Sequence, residues 1–149
     1  MPAGWVVKSI RYDGQDITDG PAEFATDPGK QIEIVLTSRV ATLTGTVTDD
    51  GGKPATGAMV FLLPADPKLG SEELFRYRAY RTLDGGQFRT GGIRPGDYLV
   101  VAVNAEQTEA LMRQRPKAER LAKYAEQISL TENDKLTITL RVVSLPDVR

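Results

Sequence analysis

Short apolar segments alternate with clusters of glycine, aspartate and proline along the stretch from Thr42 to Val103. In its first segment, Thr42–Thr48, small or apolar positions alternate with threonines. That period of two is typical of a strand with one buried and one solvent-facing side. The intervening clusters hold the residues that tight turns need, since glycine and aspartate tolerate positive φ and proline fixes its own φ. Evenly spaced short strands with such turns predict an all-β sandwich.

Three turn sequences divide this stretch. Residues 49–54 (DDGGKP) and residues 83–88 (LDGGQF) each predict a hairpin, and residues 93–97 (IRPGD) lead into a strand from Tyr98 to Val103. Met59–Leu63 is apolar throughout, which predicts a buried strand. We expect the threonines of Thr42–Thr48 to lie on the exposed side of their strand.

The order of these strands and turns resembles the carboxypeptidase regulatory-like domains, which belong to the transthyretin-like sandwiches. The matching positions are Gly45, Val47, Asp50, Gly52, Pro54, Gly57, Ala58 and Val60, then Asp84, Gly86, Phe88, Ile93, Pro95, Gly96, Tyr98 and Ala102. With a closing strand at Leu136–Val142, the resemblance covers residues 41–143, and 144–149 form a tail. It implies a Greek-key, prealbumin-like (Ig-like) β-sandwich of about seven strands. It also implies an exported protein (periplasmic, cell-surface or secreted) in which the module accompanies other domains and performs no catalysis.

Two segments of residues 1–40 are similar in sequence to two later segments of the chain, as in an internal repeat. Residues 2–10 (PAGWVVKSI) align with residues 95–103 (PGDYLVVAV), and residues 29–36 align with residues 133–140. One interpretation is that residues 1–40 are the final strands of a preceding tandem repeat. The alternative is that strand pairs of any two sandwiches look alike. Two strands alone are marginal in water, so we expect them to extend a sheet of the main domain or to pair with another molecule through an edge, as in a homodimer. Trp5 is expected to anchor a core.

Helix formers replace the strand pattern between Asn104 and Gln127. Residues 106–115 predict one helix, and Pro116 suits the first turn of a second. We therefore expect a short helical insertion at about residues 105–125.

Composition excludes several classes of function. The 149-residue chain has 40% hydrophobic and 26% charged residues, which is ordinary globular usage. Its formal net charge of −1 argues against a nucleic-acid partner, since phosphate contacts need a basic excess. No apolar run approaches the length of a membrane span.

Histidine and cysteine are absent from the sequence, which removes histidine-based triads, thiol nucleophiles and histidine-ligated zinc. Sequence-adjacent carboxylates lie in turns or point to opposite faces of a strand, so they do not form the pair that glycosidases use. Residues 49–51 and 13–16 carry oxygen ligands that could bind calcium. The alternative interpretation is that their aspartates and glycines form ordinary structural turns. We expect no catalytic residue, no cofactor and no metal; a cryptic enzyme is the third-ranked hypothesis.

An aromatic strand is the candidate ligand site. In residues 75–81 (FRYRAYR), Phe75, Tyr77 and Ala79 share one face, and Arg76, Arg78 and Tyr80 share the other. Aromatic rings beside guanidinium groups suit a sugar or a carboxylated glycan, and the candidate binding residues are Arg76, Tyr77, Arg78 and Tyr80. The alternative is that these side chains fill the strand. The sequence thus predicts a structural spacer or interaction module whose partners are other domains or proteins, with carbohydrate binding as the alternative.

Overall fold

The computed structural model describes residues 2–18, 23–24, 28–66, 78–114 and 121–146. The strands are β1 (Val6–Tyr12), β2 (Gln15–Asp16), β3 (Ile32–Thr37), β4 (Ala41–Thr48), β5 (Met59–Pro64), β6 (Arg78–Arg81), β7 (Gln87–Ile93), β8 (Gly96–Val103), β9 (Glu126–Leu130) and β10 (Lys135–Val143). The helix α1 (Ala105–Gln114) lies between β8 and β9.

Strands β4 to β10 form a sandwich of two layers. In layer 1, β4 pairs antiparallel with β7 and parallel with β10. In layer 2, the order is β6-β5-β8-β9 and every neighbouring pair is antiparallel. The last residues of β10, Val142 and Val143, pair with β8 and so join the two layers. The predicted all-β sandwich is confirmed.

Both predicted hairpins are wrong, although both turns are tight. Residues 49–58, which begin with the turn at 49–54, connect β4 to β5, and residues 82–86 connect β6 to β7. In each case the two strands lie in different layers. Thr48 and Pro54 form an isolated bridge beside the first turn. A turn sequence fixes the reversal of the chain, whereas burial of the apolar faces decides which strand the returning segment pairs with.

One core lies between the layers. The alternation predicted for β4 is present, since Leu43 and Val47 are fully buried while the threonines between them are half-buried. These side chains meet apolar residues from both layers. The contributors from the other strands include Val60, Leu62, Phe88, Ile93, Tyr98, Val100, Ala102, Leu130 and Leu140.

A second core lies beneath α1 on the outer side of layer 2. The odd-numbered residues of β5, Met59, Phe61 and Leu63, face it, so β5 is buried on both sides, as its continuous apolar run predicts. Leu145 closes this core, and both amide atoms of the Gln107 side chain hydrogen-bond to the Leu145 backbone at 2.8 Å.

The helical insertion is confirmed for its first part by α1. Of the expected second helix, Leu121 and Ala122 are helical, and residues 116–120 lie outside the described residues.

Strands β1, β2 and β3 form a separate three-stranded antiparallel sheet in the order β2-β1-β3. They therefore pair with one another and do not extend a sheet of the sandwich. The strands β1 and β3 are antiparallel, whereas their sequence counterparts β8 and β10 meet in parallel. The sequence similarity between the two parts of the chain thus does not extend to strand pairing. That residues 1–40 are the end of a preceding repeat stays a prediction.

Candidate functional site

One face of the N-terminal sheet is apolar along two strands. Residues directly opposite each other on adjacent strands point to the same face. A register shift between Val7 and Ser9 inserts one extra residue in β1, which returns Ile10 to the face of Val7 despite their odd spacing. The apolar pairs on this surface, which we call the N-terminal apolar face, are Val7 with Leu36, Ile10 with Ile34, and Tyr12 with Ile32.

The side chains that β3 contributes to this face are open to solvent. Ile34 is 57% exposed and Ile32 is 52% exposed, whereas the large residues of the sandwich core are at most a few per cent exposed. In the described chain, the exposed large hydrophobic residues are Trp5, Phe24, Ile32, Ile34, Val35 and Leu36 in the N-terminal part, and Leu83 and Tyr124 elsewhere. Single exposed apolar residues are ordinary on protein surfaces, but a contiguous group marks an interaction surface. The prediction that Trp5 anchors a core is wrong, since it is 42% exposed.

Polar and aromatic groups border the N-terminal apolar face. The Phe24 ring meets the Tyr12 ring edge-on, with centroids 5.1 Å apart. The Lys30 Nζ atom lies 5.8 Å from the centre of the Tyr12 ring and 3.4 Å from Oδ2 of Asp13. An apolar centre with a charged rim is the usual anatomy of a protein–protein interface.

Polar contacts connect this sheet to the sandwich. Lys8 of β1 and Arg39, which precedes β4, bind the two carboxylate oxygens of Glu132 at 3.2 and 3.3 Å. Arg94 also donates a hydrogen bond to the Val7 carbonyl at 3.5 Å. The hydrogen bonds from Lys8 and Arg39 lower the pKa of the Glu132 carboxyl from its ordinary value of 4.5.

Acid should loosen the attachment of the N-terminal sheet. A carboxyl whose pKa is lowered by folding stabilises the folded arrangement above its unfolded pKa, and this contribution is lost as the pH falls through the lowered value. We expect a small red shift in the fluorescence of Trp5, the only tryptophan, below pH 4.5 as the sheet loosens. Glu132→Gln should remove this step, and Glu126→Gln, on the exposed side of β9, should retain it. An unchanged step in Glu132→Gln would show that other groups control the attachment.

The predicted ligand residues fall in two groups. Arg76 and Tyr77, with Phe75, lie outside the described residues. Arg78 and Tyr80 lie on the edge strand β6, opposite Leu62 and Val60, whose side chains belong to the core between the layers. Both side chains are therefore directed to the gap between the layers and are half-buried there. The carbohydrate site stays a prediction.

Arg78 joins the two layers at this edge. Its Nη1 and Nη2 atoms donate to the carbonyl oxygens of Gly91 and Gly92 on β7, each at 3.0 Å. The same Nη1 atom lies 3.5 Å from the Tyr80 hydroxyl oxygen. The fork of the guanidinium suits two neighbouring acceptors, so Arg78 has a structural task in holding β6 to β7.

The stretches considered for calcium use their carboxylates in turns. Oδ1 of Asp49 accepts hydrogen bonds from the backbone amides of Gly51 and Lys53, both at 2.9 Å. Oδ1 of Asp16 accepts from the backbone amide of Thr18, and hydrogen bonds from Thr18 lower the pKa of Asp16. Within the described ranges, no three carboxylates converge as a metal site. No described helix has the length and apolar character needed to cross a bilayer.

No family model matches the sequence, and no curated protein matches it. Solved structures with similar folds include the major pilin subunit BcpA of Bacillus cereus, with 11% identity, a TM-score of 0.48, and coverage of 95% of this chain and 57% of that one. The pilus 2b backbone protein of group B streptococcus has 16% identity and a TM-score of 0.44, with 80% and 45% covered. A Pseudomonas aeruginosa protein to which carbohydrate binding has been ascribed has 12% identity and a TM-score of 0.44, with 68% and 87% covered. The chain thus spans less than two thirds of either pilin chain.

Proposed function

We propose that this chain is a non-catalytic β-sandwich module of a larger exported polypeptide, in which it acts as a spacer and docks a neighbouring domain on its N-terminal apolar face. The observation that carries the proposal is the exposure of Ile32, Ile34 and Leu36 on a sheet whose described attachments to the sandwich include exposed ion pairs. The resemblance to the carboxypeptidase regulatory-like domains supports export and the company of other domains.

The free energy of burying apolar side chains favours a partner that packs against the N-terminal apolar face. Burying an isoleucine or leucine side chain completely contributes about 1.5–3 kcal/mol. The three β3 side chains of the face, which are 37–57% exposed, have realised only part of that gain. A small sheet needs a packed apolar face for stability. The N-terminal sheet is therefore expected to be the least stable part of the described chain until a partner covers it.

A neighbouring domain of the same polypeptide is the occupant that we favour. If residues 1–40 close a preceding sandwich, as their sequence similarity to the later segments suggests, the N-terminal apolar face would be the inward side of that sandwich. A second copy of the chain is the competing occupant, since β3 is the edge strand of its sheet and an open apolar edge can pair with itself.

Replacement of Ile34 tests the docking. In the full-length gene product, Ile34→Ser should lower the free energy of unfolding of the unit containing β3 by about 2–4 kcal/mol, because a buried side chain is lost. In the 149-residue chain alone, the same change should cost less than about 1 kcal/mol, since Ile34 is already exposed. Urea unfolding of both proteins measures the difference.

Val35→Ser is the matched control, because Val35 points to the opposite face of β3. It should cause similar, small losses in both proteins. Equal losses for Ile34→Ser in both proteins, or a gene product without a neighbouring domain, would contradict the proposal. If the 149-residue chain sediments as a dimer and Ile34→Ser makes it a monomer, the partner that covers the N-terminal apolar face is a second copy of the chain and not a neighbouring domain.

Carbohydrate binding through Arg76, Tyr77, Arg78 and Tyr80 is the second proposed function. The partial exposure of Tyr80 beside the Arg78 guanidinium favours it, since a phenol ring and a guanidinium can together hold a sugar. Affinity electrophoresis in glycan-containing gels tests it. Retardation lost in folded Tyr77→Ala or Tyr80→Ala supports the site, and absence of retardation on any glycan overturns it.

A further inference from the structure

The outer face of layer 1 carries an array of threonines. The strands β4 and β10 pair in unbroken parallel register from the Thr42–Lys135 pair to the Thr48–Arg141 pair. Their outward residues therefore lie in rows, and Oγ1 of Thr44 lies 3.0 Å from Oγ1 of Thr137. We call this surface the threonine face; its threonines are Thr42, Thr44, Thr46, Thr48, Thr137 and Thr139.

Three cationic side chains share the threonine face. Arg89 of β7 lies opposite Thr44, and Lys135 and Arg141 of β10 lie opposite Thr42 and Thr48. All three are exposed. The other outward positions of β7 are Gln87 and Gly91, so the outward positions of β4, β7 and β10 include no carboxylate.

This local excess of positive charge differs from the chain as a whole, whose formal net charge is −1. Three carboxylates at the ends of β4 and β10 make contacts of their own. At the end of β4, Oδ1 of Asp49 accepts hydrogen bonds from the backbone amides of Gly51 and Lys53. Glu132 binds Lys8 and Arg39, and Asp134 accepts a hydrogen bond from the Thr131 backbone amide at 2.7 Å. The high strand propensity of threonine explains why threonines are abundant on these strands. It does not explain why their outward positions carry cationic side chains and no carboxylates.

The shape of the face restricts its partner. Lys135 and Arg141 are six residue steps apart, which corresponds to about 20 Å along the strand, and three strands give about 10 Å across. The outward positions of these strands carry no aromatic ring on which a neutral sugar could stack. Hydroxyl groups between separated cations instead match a linear polymer that has both hydroxyl and carboxylate groups.

We propose that the threonine face binds an acidic polysaccharide. Arg89, Lys135 and Arg141 contact its carboxylates, and the threonine hydroxyls exchange hydrogen bonds with its sugar hydroxyls. This inference is independent of the docking of a domain on the N-terminal apolar face, which uses other residues on another sheet. Exposed ion pairs are individually weak, so binding depends on several contacts along the chain of the polymer and decreases with salt.

Affinity electrophoresis with polygalacturonate in the gel tests the proposal, with neutral pullulan as the comparison polymer. We expect retardation by polygalacturonate and none by pullulan. The double variant Arg89→Gln/Arg141→Gln should weaken the affinity for polygalacturonate about tenfold, since each exposed pair contributes a few-fold. The control Arg113→Gln/Lys123→Gln makes the same charge change in and after α1, on the layer 2 side of the molecule, and should change the affinity little.

The double variant Thr44→Val/Thr46→Val tests the hydroxyl groups, because valine keeps the shape and strand propensity of threonine. It should weaken binding several-fold in a protein that remains folded, with a small drop in melting temperature from the lost Thr44–Thr137 hydrogen bond. Full binding by this variant, or equal retardation by single-stranded DNA, would overturn the polysaccharide assignment in favour of charge alone. Equal weakening by Arg89→Gln/Arg141→Gln and by Arg113→Gln/Lys123→Gln would show that the polymer does not bind on the threonine face. Loss of binding in Tyr80→Ala would show the same.

Discussion

Gly86→Ala is expected to destabilise the protein by about 3 kcal/mol, because the substitution combines backbone strain with a collision. Gly86 has a φ of +69°, and a Cβ atom there would collide with the Val47 carbonyl oxygen and lie 3.0 Å from the Ala55 amide nitrogen. Both contacts are backbone atoms, which cannot turn aside as a flexible side chain can. Urea unfolding of the variant measures the loss.

Gly85→Ala is the matched control. Gly85 has a φ of +78°, but a Cβ atom there meets nothing within 4 Å. It should therefore cost about 1 kcal/mol, the price of the left-handed backbone alone. Similar losses for the two substitutions would show that the close approach of Gly86 to β4 does not select glycine at that position.

Phe61→Ala should cost about 3–5 kcal/mol, as for other large-to-small changes in a packed core. Phe61 is completely buried on the helix side of β5, in the same core as Leu111, Leu121 and Leu145. The substitution removes the ring that packs in the core beneath α1, so the helix loses support along with the strand. Urea unfolding gives the free energy, and far-ultraviolet circular dichroism shows whether helix is lost first.

Phe61→Leu separates the loss of volume from a general intolerance of change at this position. It keeps an apolar side chain of moderate size and should cost less than about 2 kcal/mol. A loss below 1 kcal/mol for Phe61→Ala, by contrast, would mean that the core beneath α1 contributes little to the stability of the sandwich.

The strands and helix that could be predicted from the sequence are those whose signals are local. The alternation of Thr42–Thr48, the apolar run of Met59–Leu63 and the helix formers after Asn104 each specify an element without reference to the rest of the chain. The pairing partners could not be predicted in the same way. The turns at residues 49–54 and 83–88 reverse the chain, but the strands that they connect pair elsewhere, because each inward face is buried across the sandwich.

The candidate site was less accessible to sequence analysis. Alternation at Ile32, Ile34 and Leu36 predicts a strand with one buried face, and sequence alone does not tell whether this chain supplies the cover. The apolar face of β1 is also difficult to predict from the sequence. Val7 and Ile10 are spaced for opposite sides of a regular strand, and only the register shift between Val7 and Ser9 puts them on the same side. The sequence predicts Arg78 as a ligand residue. Its hydrogen bonds to the Gly91 and Gly92 carbonyls arise because β6 and β7 lie side by side at the edge of the two layers, which no local pattern predicts.

Hydrogen exchange at the backbone amides of β1 and β3 tests the central claim most directly. It should be measured by mass spectrometry in the 149-residue chain and in the full-length gene product under the same conditions. If a neighbouring domain covers the N-terminal apolar face, these amides should exchange at least about tenfold more slowly in the full-length protein, because local opening must then uncover that face. Equal exchange rates in the two proteins would contradict the account.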